Sequence, residues 1–191
     1  MRNIILILFL LSFLTGCDEK IFNHKETVNR YYSAFDLGNY NEIKSFMHDS
    51  LTLVNGDFET AYNHESFYEF FKWDSVFKPS YQILEIAQKN NKILVTVTQK
   101  NLRNAFLKNN PLKFKSNISF ISGKISKIEE IESIDTNWQI WQKERDSLVN
   151  WVKINHPDLD GFVNDMTMTG ATNYLQAIEL YTSNQNSLKF K

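Results

Sequence analysis

Two carboxylates and an imidazole that could transfer protons lie within eight residues of one another in the sequence. Asp57 and Glu59 are two residues apart, so they share one side of a predicted strand, and His64 begins the next predicted helix. Carboxylates and histidines are common general acids and bases, so these three residues are candidates for a proton-transfer set. In the structural alternative, Asp57 only closes the turn at Asn55-Gly56, and His64 is exposed beside a helix cap.

Other common catalytic and binding motifs are missing from the sequence. The four histidines show neither HxH nor HExxH spacing, which excludes the usual zinc motifs. No glycine-rich phosphate loop and no GxSxG nucleophile motif is present. We therefore predict no metal and no cofactor. The formal net charge of −1 argues against the strongly basic surface that nucleic-acid-binding proteins have.

Cys17 is the only cysteine of the chain. It follows Arg2 and the apolar run 4–14, which is too short to span a bilayer as a helix. The sequence LTGC, which ends at Cys17, resembles the lipobox of bacterial lipoproteins, where a peptidase cuts before a cysteine that carries lipid. The resemblance implies a signal peptide over residues 1–16, acylation of Cys17 and a short tether over residues 17–22.

Acylation of Cys17 would attach the protein to a lipid bilayer of the cell envelope, on the periplasmic or the outer-surface side. One acyl chain is a marginal anchor, whereas two or more are stable. Mature lipoproteins have several chains, so the resemblance implies lasting attachment. The alternative is an ordinary secretory signal with a cysteine that has no function.

Caps and aromatic spacing predict the N-terminal helices. Asn23 and Glu26 resemble a capping box, with Asn in place of Ser or Thr. Gly38 is expected to end this first helix. Asn39 and Glu42 repeat the capping pattern and begin a shorter helix. The apolar stripe of the first helix consists of Val28, Tyr31, Tyr32 and Phe35.

Alternating apolar residues predict strands around a third helix. That helix covers residues 63–77. A short hairpin with its turn at Asn55-Gly56 precedes it. Four antiparallel strands follow, with turns at residues 89–92 and 122–123.

This order of elements, together with the sequence VNRYYSAFDLGNYNEIKSFMHDSLTL, resembles the NTF2-like superfamily. The shared features are an aromatic pair in the first helix, a Gly-Asn at its end and an Asp-Ser before the first strand. The resemblance covers Lys25 to Ile134. It implies an α+β fold in which a curved antiparallel sheet wraps the N-terminal helices into a cone with an apolar cavity. The matching residues are Tyr31-Tyr32, Gly38-Asn39 and Asp49-Ser50.

The resemblance also implies where a site would lie. NTF2-like enzymes have an acid–base set at the cone mouth, where Asp57, Glu59 and His64 would belong in this chain. This supports one alternative, a SnoaL-like isomerase, dehydratase or hydrolase. We favour a non-catalytic domain that binds a small apolar ligand or a protein partner. The aromatic residues expected to line its ligand site are Tyr31, Tyr32, Phe35, Phe71 and Trp73.

The C-terminal sequence departs from this pattern and predicts a pair of helices. The first contains Trp138 and Trp141, and Asp160 is expected to cap the second. The tryptophans either close the cone mouth as a lid or pack on the sheet as a buttress or homodimer surface. This region resembles the tails of uncharacterised Bacteroidota lipoproteins, which leaves a third alternative, a structural or assembly lipoprotein. The predicted divisions are a domain over 23–135, a helical extension over 136–182 and a frayed tail over 183–191.

Overall fold

The computed structural model describes residues 23–189. The predicted signal peptide (1–16), the lipidated Cys17 and the rest of the tether (17–22) lie outside the described residues, as do residues 190 and 191. The order of the elements agrees with the sequence prediction, except for the additional α4 and two 3-10 helices. The elements are α1 (His24–Asp36), α2 (Tyr40–Phe46), β1 (Met47–Asn55), β2 (Phe58–Tyr62), α3 (His64–Ser75), β3 (Ser80–Lys89), β4 (Lys92–Lys100), α4 (Leu102–Phe106), β5 (Leu112–Ile121), β6 (Lys124–Ile134), α5 (Trp138–Asn155), the 3-10 helices Pro157–Leu159 and Phe162–Asn164, and α6 (Met168–Lys189).

Asparagine side chains begin five of these helices. Asn23, Asn39 and Asn63 cap α1, α2 and α3 as predicted, and each accepts a hydrogen bond from the backbone N–H three residues later. Asn101 and Asn137 cap α4 and α5 in the same way. Each cap contributes about 1 kcal/mol, so the helix starts are fixed by contacts that are local in sequence.

The six strands form one sheet in the order β2-β1-β6-β5-β4-β3. Neighbouring strands are antiparallel, except that β1 and β6 run parallel. We predicted an antiparallel sheet, and this pair is the exception. Four strands and two helices separate β1 from β6 in the chain, so no hairpin turn forces the two strands to be antiparallel. Register shifts in β3 and β6 are bulges that bend the strands. The predicted α+β fold with a curved sheet around N-terminal helices is confirmed.

The larger core, which we call the sheet core, lies between α1 and the sheet. Val28, Tyr31, Tyr32 and Phe35 lie on the predicted stripe of α1 and are all buried. They pack against alternating residues of the central strands, which are also buried. These strand residues are Ile93, Val95, Val97, Ile118 and Ile125.

A second core joins the C-terminal helices to α3. Trp73 and Phe77, at the end of α3 and just after it, pack among buried side chains of α5 and α6. The indole Nε1 of Trp73 also donates a hydrogen bond to the backbone oxygen of Asp165, at 3.1 Å. The extension therefore buttresses a helix of the N-terminal domain. Its contributions to this second core are Leu148, Val152, Leu159, Phe162, Ala171, Tyr174, Ala177 and Ile178.

The start of the last helix differs from the prediction. Asp160 does not cap it, because Gly161 adopts a left-handed φ of 89° and the chain forms a short 3-10 helix before α6 begins at Met168. The hydroxyl of Thr167 accepts a hydrogen bond from Gly170 N–H instead. α6 continues to Lys189, beyond the boundary at residue 182 that we predicted for the helical extension.

None of the helices within residues 23–189 combines the length and the apolar character that crossing a membrane requires.

The second core provides a test of how firmly the extension belongs to the fold. Leu148 in α5 is fully buried, whereas Ile140 in the same helix is 40% exposed. We expect Leu148→Ala to lower the free energy of unfolding by about 2–5 kcal/mol, because it leaves a cavity in the second core. Ile140→Ala should cost less than about 1 kcal/mol. Urea unfolding followed by tryptophan fluorescence measures both, and equal losses would contradict the shared core.

Candidate functional site

The structure places the three predicted acid–base residues on or beside β2, which is one edge strand of the sheet. Asp57 lies in the turn between β1 and β2. Glu59 lies in β2, opposite Val54 of β1, and both acidic residues are exposed. His64 is the first residue of α3, and its backbone oxygen accepts a hydrogen bond from the Tyr40 hydroxyl. Among the described residues, no hydrogen bond or ion pair joins any two of the three. Nor does this part of the chain contain a side-chain cluster suited to a metal ion.

Four of the five aromatic residues predicted to line a ligand site lie together. Tyr31, Tyr32, Phe35 and Phe71 are buried in the sheet core. The ring of Phe35 lies 5.2 Å from that of Tyr31 and 5.8 Å from that of Phe71, between ring centroids. Trp73 is separate, since it belongs to the second core.

A pocket of about 220 Å³ opens beside Phe35 and Phe71, where the C-terminal ends of α1 and α3 meet. Gly38 and Pro79 form part of its wall. Gly38 has a φ of +64°, which L-residues rarely adopt, so glycine suits the turn that leaves α1. The polar side chains that line the pocket are Asp36, Asp74, Ser75 and Lys78.

Asp74 is the buried polar group of this pocket. The residue is only 4% exposed, and burial raises the pKa of its carboxyl above the usual value of 3.8. The positive charge of Arg103 and a hydrogen bond from the Tyr81 hydroxyl lower the pKa and oppose part of this effect. The Tyr81 hydroxyl donates to Oδ2 at 3.2 Å. Within residues 23–189, the other carboxyl oxygen, Oδ1, has no hydrogen-bond partner.

A directed chain of hydrogen bonds ends at Asp74. Nδ2 of Asn104 donates to Oε1 of Gln99 at 3.2 Å, and Nε2 of Gln99 donates to the Tyr81 hydroxyl at 2.7 Å. Because the Tyr81 oxygen accepts from Gln99, its own proton points to Asp74. The chain therefore presents a donor to the carboxyl, which favours the carboxylate form.

Neighbouring groups hold this chain in place. Oδ1 of Asp36 accepts a hydrogen bond from the Tyr81 backbone N–H at 2.6 Å, which joins the end of α1 to the start of β3. Burial also raises the pKa of Tyr31, Tyr32 and Tyr81. These phenols therefore remain protonated at neutral pH and can only donate or accept hydrogen bonds.

Arg103 lies on the second-core side of Asp74. Its guanidinium carbon is 4.8 Å from the ring centroid of Trp73 and 5.5 Å from that of Phe77, a cation–π arrangement. The guanidinium thus acts on Asp74 through its charge, while its contacts are with the aromatic rings. Arg103 therefore links Asp74 to the second core, and it belongs to α4, a helix that the sequence pattern did not predict.

The sequence contains a signal for the burial of Asp74. Asp74 falls three residues after Phe71 and seven after Phe67, on the apolar stripe of α3. A carboxyl at such a position is either an exception to the apolar spacing or a buried acid, and a buried acid requires polar partners. Spacing alone would not have identified those partners.

The amino-acid sequence matches no protein-family profile and no curated protein. Among solved structures, the chain is similar to an NTF2-like protein of unknown function from Cytophaga hutchinsonii, with 10% identity, a TM-score of 0.47 and coverage of 59% of this chain and 91% of that one. An NTF2-like protein of unknown function from Burkholderia pseudomallei is 16% identical, with a TM-score of 0.46 and coverage of 58% and 90%. A de novo designed protein with a curved β-sheet is 13% identical, with a TM-score of 0.46 and coverage of 65% and 95%.

The raised pKa of Asp74 makes the stability of the protein depend on pH. Between 3.8 and the raised value, the folded protein binds more protons than the unfolded chain. The free energy of unfolding therefore falls as the pH rises through this window, by at most about 1.4 kcal/mol per pH unit. Asp74→Asn has no proton to release, so its stability relative to the wild type should increase as the pH rises.

Urea unfolding of both proteins from about pH 4 to about pH 8 measures this difference. Asp57→Asn is the matched control, because it makes the same change at an exposed turn and should follow the wild-type curve. Parallel curves for Asp74→Asn and the wild type would contradict the effect of burial on this carboxyl.

Proposed function

We propose that this protein is a lipid-anchored component of the bacterial cell envelope whose domain binds a small, mainly apolar ligand without transforming it. The observation that supports the ligand site is the pocket lined by Phe35, Phe71 and Asp74, since one oxygen of this carboxyl has no hydrogen-bond partner within residues 23–189. Ligand pockets typically combine apolar walls with a few polar groups that orient the ligand. Both kinds of group are present in this pocket.

The size of the pocket sets the size of the ligand. Its volume is about 220 Å³, whereas an engineered apolar cavity of about 150 Å³ holds benzene. A molecule with one ring and a short substituent therefore matches the available space. The pocket is also open to solvent, since it is lined by the exposed residues Asp36, Ser75 and Lys78, so a larger ligand would extend past this rim.

The proposed anchor keeps this pocket near the membrane. Cys17 precedes Asn23 by only a few residues, and even a fully extended chain of that length spans about 20 Å. Acylation of Cys17 would therefore hold the domain close to the lipid surface. Ligand molecules released from or moving toward that membrane would be within its reach.

Acid–base catalysis is a second candidate function, and one observation favours it. A buried carboxyl with a raised pKa beside a pocket is a frequent feature of general acids and bases. In this version, Asp74 replaces the predicted set of Asp57, Glu59 and His64. Turnover of small carbonyl substrates that Asp74→Asn abolishes and Asp57→Asn preserves would favour catalysis over simple binding.

The anchor is tested by removing its sulfur. We expect Cys17→Ser to abolish metabolic labelling with a radioactive fatty acid and to move the protein from the membrane fraction to the soluble fraction, because a serine cannot receive the thioether-linked lipid. The two measurements are made on the bacterial cells that express the full chain. A variant that still fractionates with membranes and still incorporates label would overturn the anchor.

The ligand site is tested by filling it. Ser75 lies at the rim of the pocket, and Ser75→Phe places a ring in the space that the ligand would use. Mass spectrometry of small molecules that co-purify with the full chain in detergent should show a compound that this variant loses. Glu65→Phe, at an exposed position at the other end of α3, should retain it. Loss of the compound from both variants, or from neither, contradicts the proposed site.

A further inference from the structure

We infer that the pocket selects ligands in which an ammonium group is attached to a small apolar body. The inference rests on the proposed binding function and names the ligand class. Three features of the pocket support it, namely the lining carboxyl of Asp74 with one oxygen that has no hydrogen-bond partner within residues 23–189, a second lining carboxylate and two aromatic rings.

Asp74, which lines the pocket, can accept a hydrogen bond from the ligand. Oδ2 of Asp74 already accepts from Tyr81, and the chain of donors from Asn104 through Gln99 fixes that direction. Oδ1 has no partner among the described residues and belongs to a residue that lines the pocket. A ligand group that donates a hydrogen bond satisfies this oxygen, whereas a carbonyl or ether oxygen does not.

The charges around the pocket favour a positive donor over a neutral one. Asp36 adds a second carboxylate to the pocket lining, and the rings of Phe35 and Phe71 attract cations more than aliphatic side chains do. Lys78 opposes this preference at the rim, but its side chain is exposed and can extend into solvent. Arg103 is not one of the lining residues, because its guanidinium lies over the rings of the second core.

An ammonium ligand would stabilise the charged form of the buried Asp74 carboxyl. Burial disfavours the charged form of Asp74, and an ammonium group in contact with it restores the balance of charge inside the pocket. A neutral alcohol of the same shape makes a hydrogen bond but adds no positive charge to that of Arg103. The difference in affinity between an ammonium ligand and an alcohol of the same shape therefore tests the inference directly.

The test compares benzylamine with benzyl alcohol, which have the same ring and nearly the same size. Ligand-observed NMR titrations of the full chain in detergent, with a protein-free detergent blank, give both dissociation constants. We expect benzylamine to bind at least about tenfold more tightly than benzyl alcohol. Asp74→Asn should remove this advantage, and Asp57→Asn, which alters an exposed turn, should preserve it.

The possible outcomes distinguish failure of the ammonium preference from failure of the proposed binding site. Equal affinities in the wild type, or stronger binding of the alcohol, would overturn the ammonium preference and leave the binding site standing. Binding of both ligands that Ser75→Phe leaves unchanged would overturn the pocket and with it the proposed function, as would binding of neither ligand. The comparison within the wild type does not depend on whether Asp74→Asn folds.

Discussion

The burial of one carboxyl group, that of Asp74, depends on groups that three surrounding elements bring together. α3 packs Phe71 into the sheet core and Trp73 into the second core, so the next residue is enclosed between the two. A buried carboxyl is costly unless polar groups surround it. Tyr81 supplies a hydrogen bond and Arg103 a positive charge. These groups belong to β3 and α4, so a single side chain couples three elements.

The charge of Arg103 can act on Asp74 only because α4, a very short helix, has a fixed position. An isolated helix of this length is not stable in water, and its stability must come from its contacts. The Leu102 N–H donates to the Phe77 carbonyl at 2.9 Å, Asn104 donates to the Gln99 amide at 3.2 Å, and the Phe106 ring packs against the second core. These contacts place the Arg103 guanidinium where its charge offsets the burial of the carboxyl.

Features that depend on neighbours in sequence could be predicted, and features that depend on distant partners could not. The caps at Asn23 and Asn63 involve residues only three positions away, and strand alternation is equally local. The parallel pairing of β1 with β6 and the bond between Gln99 and Tyr81, which are 18 residues apart, depend on the completed fold. The candidate site was therefore predicted only in part, through Phe35 and Phe71, whereas its central carboxyl was missed.

The C-terminal extension contributes to the pocket without lining it. Its buried side chains, such as Leu148 and Tyr174, pack around Trp73 and Phe77 in the second core. The guanidinium of Arg103, whose charge lowers the pKa of Asp74, lies over these two aromatic rings. The extension therefore acts on the pocket indirectly, because it packs against the rings that the guanidinium contacts.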